Sequence, residues 1–397
     1  MPSSLAKIHL KKGKDQSLFR YHPWLFSGAI KSIQGEVKDG TLVEVFDAEN
    51  NFKGIGHYQI GSIAVRMLSF DDSIVNQQFY TDRINDAWEV RQNIGLAAAS
   101  DTTVFRLIHG EGDFLPGLIV DFYNGVAVVQ FHSVGMFLHA EMIFEALKQV
   151  LGSRLSAIYN KSEGTLPFKA NTGVKDGYVF GASEPSEVLE YGNRFLVDWV
   201  NGQKTGFFID QRENRKLLAA YCQNKVVLNV FGFTGGFSVY AMKGGANLVH
   251  TVDSSKQAIE LTNKNIVLNF GDDQRHTSFA VDAFDFLDDI DQKYDVIVLD
   301  PPAFAKHQDA LNNALQGYKK INAKAIRQIR KGGILFTFSC SQAVSKENFR
   351  KSVFAAAANT GRKVRILHQL SQPADHPVNI YHPESEYLKG LVLMIDN

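Results

Sequence analysis

The chain has 397 residues, too many for one ordinary domain, and 45% of them are hydrophobic against 21% charged. That balance excludes a disordered chain, two cysteines (Cys222 and Cys340) exclude a disulfide scaffold, and no apolar run is long enough for a membrane-spanning helix. A polar, basic start and so few cysteines point to a cytoplasmic, multidomain protein in a reducing compartment.

The net charge is zero, from 42 basic and 42 acidic side chains, but the charges are unevenly spread. Residues 1–31 hold Lys7, Lys11, Lys12, Lys14, Arg20 and Lys31 against Asp15 alone, which is +5 there and −5 over the rest. A basic N-terminal unit suits phosphate contacts, and a solvated basic tail would look the same. Phe19, Tyr21, His22, Trp24 and Phe26 interleave with these cations. Such aromatics serve either base stacking or the packing of a small barrel.

Short strand-like runs follow at 41–47, 53–60 and 63–70, separated by turn residues. Their spacing predicts a small β-barrel over 1–75. Residues 83–98 have helical spacing (Ile84, Trp88, Val90, Ile94), and a second helix is expected over 136–151 among strands. A central α+β domain is therefore placed at 76–190. Over 191–397 apolar strand-length runs at 225–231, 246–253, 276–283, 294–300 and 332–340 alternate with helical candidates at 210–223, 236–243, 256–269 and 309–331. That alternation predicts a Rossmann-like, doubly wound α/β domain with a buried parallel sheet, closed by strands at 362–370 and 387–395.

Ligands of such sheets sit at the carboxyl ends of the strands. The first strand ends in Asn229-Val230-Phe231-Gly232-Phe233-Thr234-Gly235-Gly236, which opens a helix. This is neither the GxGxxG dinucleotide fingerprint nor a phosphate loop. The second strand ends at Asp253-Ser254, where an acid can accept ribose hydroxyls, and the third at Asp282-Ala283, placed to touch an adenine. Helix caps and turns would account for each strand end singly. Together, a ribose-reading acid without a pyrophosphate fingerprint fits S-adenosylmethionine better than NAD, with Asn229, Phe231, Thr234, Gly235, Gly236, Asp253, Ser254, Asp282, Ala283 and Asp300 as its lining.

The fourth strand ends in Asp300-Pro301-Pro302-Ala303-Phe304 and the fifth in Phe338-Ser339-Cys340-Ser341. Prolines end a strand abruptly, because they cannot donate to the ladder. An acidic turn explains Asp300 as well as a functional role does. If strands four and five are neighbours, Asp300 and Cys340 share one crevice. Cys222, among Leu217, Leu218 and Tyr221, reads as packing, whereas Cys340 at a strand end suits a thiolate nucleophile.

The segments NVFGFTGGFSVYA, DPPAF, TFSCS, QKTGFFIDQRENR (203–215), GEGDFLPGLIVDFY (110–123) and ADHPV…YLKG (374–390) resemble the ribosomal RNA large-subunit methyltransferase I family. KKGKDQSLFRYHPWLFSGAI (11–30) resembles the start of a PUA domain, an RNA-binding barrel. The resemblance implies a class I methyltransferase domain that uses S-adenosylmethionine to form 5-methylcytosine in 23S rRNA, with Lys11, Lys12, Lys14, Arg20 and Trp24 as RNA contacts. It places Lys204, Thr205, Phe207, Asp210 and Arg212 over the methyl donor. The D-x-x-E spacing of Asp210 and Glu213 also reads as a capping box opening a helix.

In that chemistry Cys340 adds to C6 of the pyrimidine and Asp300 holds its N3 and amino edge. Other RNA cytosine-5 methyltransferases carry a second cysteine where this chain has Pro302, so no base is assigned for the C5 proton. No metal is expected. The partner is large-subunit rRNA or its assembly intermediate, and the resemblance suggests a homodimer. Two other readings compete: nitrogen methylation of a purine, which needs no thiolate, and a non-catalytic RNA-binding assembly factor.

Overall fold

The structure, a computed structural model, describes residues 5–167, 173–305 and 308–397. These form two compact units. The first comprises residues up to 186 with 198–206 and 374–385; the second comprises 187–197, 207–373 and 386–397. Among the described residues no helix is long and apolar enough to cross a membrane.

The first unit opens with β1 (Ala6–Leu10), α1 (Gln16–Phe19), β2 (Trp24–Phe26), β3 (Ile30–Gln34), β4 (Leu42–Phe46), β5 (Phe52–Tyr58) and β6 (Ile63–Ser69). The six strands form one sheet in the order β2-β6-β5-β4-β1-β3, with β1 and β4 parallel. Alternation decides which face is buried: Ala6, Ile8 and Leu10 of β1 and Val43 and Val45 of β4 enter the core beside Leu25, Val65 and Met67.

A second sheet follows: α2 (Gln77–Asn93), β7 (Val104–His109), β8 (Leu118–Tyr123), β9 (Val126–Phe131), α3 (Val134–Leu138), α4 (Ala140–Leu151), β10 (Ala157–Asn160) and β11 (Gly177–Phe180). Its order is β11-β10-β9-β8-β7, and α2 packs on α4. Helix α2 begins earlier than its apolar spacing indicates, because the Asn76 side chain caps the Phe79 amide at 3.1 Å. Buried Arg91 grips Asp113, with Nη2 2.7 Å from Oδ2.

The second unit holds a hairpin, β12 (Glu187–Glu190) and β13 (Asn193–Leu196), and then the elements of the large sheet. These are α5 (Arg212–Ala219), β14 (Val226–Val230), α6 (Gly236–Lys243), β15 (Leu248–Asp253), α7 (Lys256–Phe270), β16 (His276–Ala280), α8 (Ala283–Phe286), β17 (Val296–Leu299), α9 (Leu311–Gln328), β18 (Gly333–Ser339), α10 (Lys346–Thr360), β19 (Val364–Leu370) and β20 (Lys389–Ile395). The sheet order is β16-β15-β14-β17-β18-β20-β19. The first five strands are parallel, as expected. The last strand, β20, runs antiparallel and inserts between β18 and β19. Strands β17 and β18 are buried almost throughout, which is why they read as unbroken apolar runs. The strand order reverses between β14 and β17, so the carboxyl ends of these strands flank the crevice of the fold.

Two expectations are corrected. Helix α10 was not foreseen, although Ser345 caps it through the Asn348 amide and Gly361 ends it in the left-handed region. The Asp210–Glu213 capping box does not form. Helix α5 starts after Gln211 without a side-chain cap, while the Asp210 carboxylate takes the Tyr387 hydroxyl at 2.7 Å and Glu213 takes that of Tyr191 at 2.6 Å. Tertiary partners outcompete the local cap at both acids.

Candidate active site

The turn leaving β14 is a strained structure held from several sides. Phe231 (φ 63°), Phe233 (φ 46°) and Gly235 (φ 76°) all adopt left-handed backbone. For the two phenylalanines this costs about 1–3 kcal/mol each, which persists only where the surroundings enforce it. Gly235 is needed twice over: its φ is positive, and a Cβ there would lie 2.8 Å from Thr262 Cγ2. The enforcing contacts are visible. Thr262 Oγ1 donates to the Phe233 carbonyl at 3.0 Å and Asn265 Nδ2 to the Thr234 carbonyl at 2.8 Å. Both carbonyls are thereby turned onto α7.

Asp253, at the end of β15, holds the same turn from below. Its Oδ2 accepts the Phe233 amide at 3.0 Å and its Oδ1 the Ser255 amide at 2.9 Å. A carboxylate offers about four acceptor positions, so each oxygen retains capacity for a hydroxyl. Ser254 beside it is exposed. Asn229 is buried, donates to Ser238 Oγ at 2.9 Å, and has a buried Oδ1 without a hydrogen-bond partner. Asp282 is exposed and caps α8 through the Phe284 amide at 2.8 Å, with buried Ala283 next to it. The three strand ends therefore present acceptors, a helix N-terminus with a glycine approach, and one orphaned buried oxygen. Those features fit a ligand that carries ribose hydroxyls and a carboxylate.

Asp300 and Cys340 follow directly after β17 and β18, which pair with each other. Gln211 Nε2 donates to Asp300 Oδ1 at 3.0 Å, and Asn214 Nδ2 holds the Gln211 oxygen at 2.6 Å. Gln211 and Asn214 are buried, so the carboxylate is oriented by a rigid pair. Cys340 is partly exposed, and its Sγ lies 3.9 Å from the Pro301 carbonyl. The two groups expected to share a crevice stand at the ends of paired strands, and both act on the Tyr318 hydroxyl. Cys222, by contrast, is buried, its thiol donates to Leu218, and burial pushes its pKa up to about 12. It is packing.

Lys389, which sequence reasoning missed, joins this site. It is buried at the start of β20, and its ammonium donates to the Ser341 carbonyl at 2.6 Å. Burial brings its pKa down to about 8, against the opposing pull of Cys340 and Glu386. Tyr318 faces the same groups, its pKa pushed up to about 12 chiefly by burial, with Cys340 and Asp300 adding to the effect.

The 203–215 segment is divided. Lys204, exposed and left-handed at φ 50°, and buried Thr205 fold with the first unit. Thr205 Oγ1 donates to Asp121 at 2.6 Å. In the second unit Phe207 is buried, its ring 5.0 Å from that of Phe195 and beneath the Arg215 guanidinium at 4.8 Å. Arg212 is buried with its Nε 3.3 Å from Glu213. Of the residues expected to meet RNA, Lys11, Lys12, Lys14 and Arg20 are exposed. Trp24 is half-buried, its indole donating to Glu111 at 2.8 Å and its ring 4.2 Å from that of His382.

Comparison with known proteins identifies the class. Residues 8–70 match the PUA-like domain family, and residues 105–384 match the S-adenosylmethionine-dependent methyltransferase family. The chain is 40% identical to the ribosomal RNA large subunit methyltransferase I of Aeromonas hydrophila, over 98% of this chain and 99% of that one. It is 36% identical to the protein of the same name from Escherichia coli, with the same coverage. Among solved structures, a proposed S-adenosylmethionine-dependent methyltransferase from Streptococcus mutans aligns with a TM-score of 0.83 at 23% identity, covering 98% of this chain and 99% of that one. That likeness shows the fold. The chain belongs to the ribosomal RNA large subunit methyltransferase I family, S-adenosylmethionine-dependent enzymes with a PUA-like domain at the N-terminus.

Proposed function

We propose that the enzyme methylates C5 of a cytosine in large-subunit ribosomal RNA, free or within an assembly intermediate. The substrate class rests on the names of its full-length relatives. The observation that carries the chemistry is the placement of Asp300 and Cys340 at the ends of adjacent parallel strands. Cytosine C5 is a weak nucleophile. Addition of the Cys340 thiolate to C6 forms the S–C6 bond and moves electron density to C5, which then bonds the methyl group. Asp300, oriented by Gln211, holds N3 and the amino edge of the base. Loss of the C5 proton to a base, with the S–C6 electron pair returning to sulfur, releases the product and restores the thiolate. Lys389 supports the thiolate as a buried cation within electrostatic reach of Cys340.

Bound S-adenosylmethionine supplies an electrophilic methyl group. Asp253 would take its ribose hydroxyls, the 231–236 turn with Asn229 its amino-acid portion, and Asp282 with Ala283 its adenine. On the first unit, Lys11, Lys12, Lys14 and Arg20 would supply sequence-independent phosphate contacts.

The reading is tested by mapping 5-methylcytosine in 23S rRNA from cells with and without the gene. A single cytosine that loses its mark, regained with wild-type protein and not with Cys340→Ala, is the expected result. An unchanged map, with a methylated purine lost instead, would replace it with nitrogen methylation.

A further inference from the structure

His22, His382 and Glu384 converge within the first unit, although the two histidines are separated by 360 positions in sequence. One oxygen of each kind of geometry is telling: Glu384 Oε2 lies 3.4 Å from His22 Nε2 and 3.7 Å from His382 Nε2. The second distance is too long for a hydrogen bond. Both are close to the edge of a tetrahedron whose centre-to-ligand bonds are about 2.0–2.1 Å, an edge of roughly 3.3–3.4 Å.

An independent observation points into this cluster. His382 is only 2% exposed, and its Nε2 is buried without a hydrogen-bond partner. Leaving such an atom unmatched is costly. Its other nitrogen, Nδ1, is engaged at 2.6 Å by Ser385 Oγ. When Nδ1 carries the proton and donates it to that oxygen, Nε2 presents a bare lone pair toward a carboxylate. Two electron-rich atoms then face each other, and a cation held between them would relieve the repulsion.

His22 faces the same carboxylate oxygen. Its Nδ1 accepts the Trp24 amide at 3.1 Å, and its Nε2 lies 3.4 Å from Glu384 Oε2. The His382 ring is oriented as metal-binding imidazoles are, with its second nitrogen held by an oxygen. Each histidine is followed by a proline, Pro23 and Pro383, which disfavours helical backbone at the histidine and narrows its conformations before any ion arrives.

We propose that His22, His382 and Glu384 form a mononuclear site for a divalent transition-metal ion, zinc foremost, with both Nε2 atoms and Glu384 Oε2 as ligands and water completing a tetrahedron. Two imidazoles and one carboxylate suit zinc. Glu384 is 45% exposed at its side chain, which gives the ion a path in from solvent. The ion would staple the start of β2 to the 374–385 segment, two parts of the first unit that no local sequence contact joins. All three ligands belong to the first unit.

The test uses the full-length protein stripped with chelator and then titrated with Co²⁺ followed by Zn²⁺. Wild type should take up one Co²⁺ per chain with the visible absorption of a tetrahedral site, and Zn²⁺ should displace it. Glu384→Gln and His22→Gln should each lose that absorption and bind Zn²⁺ at least about tenfold more weakly, since a lost ligand costs no less than a lost outer-shell partner. Cys340→Ser should bind as wild type does. His382→Gln is read only if its circular dichroism matches wild type; the two more exposed ligands decide the matter otherwise. No stoichiometric Co²⁺ uptake by wild type, or uptake unchanged in Glu384→Gln and His22→Gln, would overturn the site.

Discussion

Gln211 holds Asp300 through a hydrogen bond of 3.0 Å from its side-chain amide to one carboxylate oxygen. A hydrogen bond to a charged group is worth about 1.5–3 kcal/mol, so Gln211→Leu should lower kcat by roughly 10–100-fold. S-adenosylmethionine affinity should hold, because the donor is read by other strand ends. Steady-state kinetics with saturating donor and RNA, beside calorimetric titration of the donor, separate the two quantities. Equal losses in both would show that Gln211 supports the donor site instead.

Asp253 should act on binding first. Asp253→Ala removes the ribose acceptors and also releases the Phe233 amide from the strained turn. Donor affinity should fall by at least about tenfold, the lower bound for one charge-assisted hydrogen bond. Unchanged affinity by calorimetry would take Asp253 out of the site.

The predicted effect of Lys389 has a pH signature. Lys389→Met removes a cation beside Cys340, so the thiolate should become harder to form and alkylation of Cys340 by iodoacetamide should need higher pH. The gap between variant and wild type should be full below about pH 8 and close above it, because the ammonium itself discharges there. Stability runs the other way. The folded protein holds this lysine at about 8 against roughly 10.4 in the unfolded chain, so wild type gains stability as pH rises through that window. Lys389→Met should lack this gain. Superimposable alkylation profiles at pH 7 would remove Lys389 from thiolate support.

A fourth expectation concerns stability alone. Glu190 and Arg215 form a buried, two-pronged ion pair at 2.6 and 2.8 Å, joining the β12–β13 hairpin to α5. Breaking a buried pair from one side leaves an uncompensated charge and costs about 3–5 kcal/mol. Glu190→Gln should therefore lower the urea midpoint clearly, and Glu190→Leu combined with Arg215→Met should recover much of the loss. A double variant as unstable as the single one would show that shape, not charge, sets the penalty.

The parallel strands were legible because β14, β17 and β18 are buried on both faces and must be apolar throughout. The strand-end residues followed from the same topology, since a doubly wound sheet gathers its ligands at one edge. Features set by partners distant in sequence were not legible. The short, half-polar hairpin strands β12 and β13 carry little periodicity, and only the left-handed Tyr191-Gly192 pair marks their turn. Asp210 has the spacing of a cap, yet Tyr387 claims it from 177 positions away. Lys389 looks like a polar flank to an apolar strand until β18 is seen beside it. His22 and His382 have no spacing in common with metal motifs, because their meeting is a product of the fold alone.

The central claim is that Cys340 attacks the base. It is tested most directly by incubating the protein with S-adenosylmethionine and large-subunit RNA carrying 5-fluorocytidine. Fluorine at C5 blocks proton loss, so the S–C6 bond cannot be released after methyl transfer. A covalent protein–RNA adduct that survives denaturing electrophoresis, with the crosslink mapping to Cys340 and absent in Cys340→Ala, is the predicted result. Methyl transfer to unmodified RNA by Cys340→Ala at the wild-type rate, with no adduct formed by wild type, would contradict it.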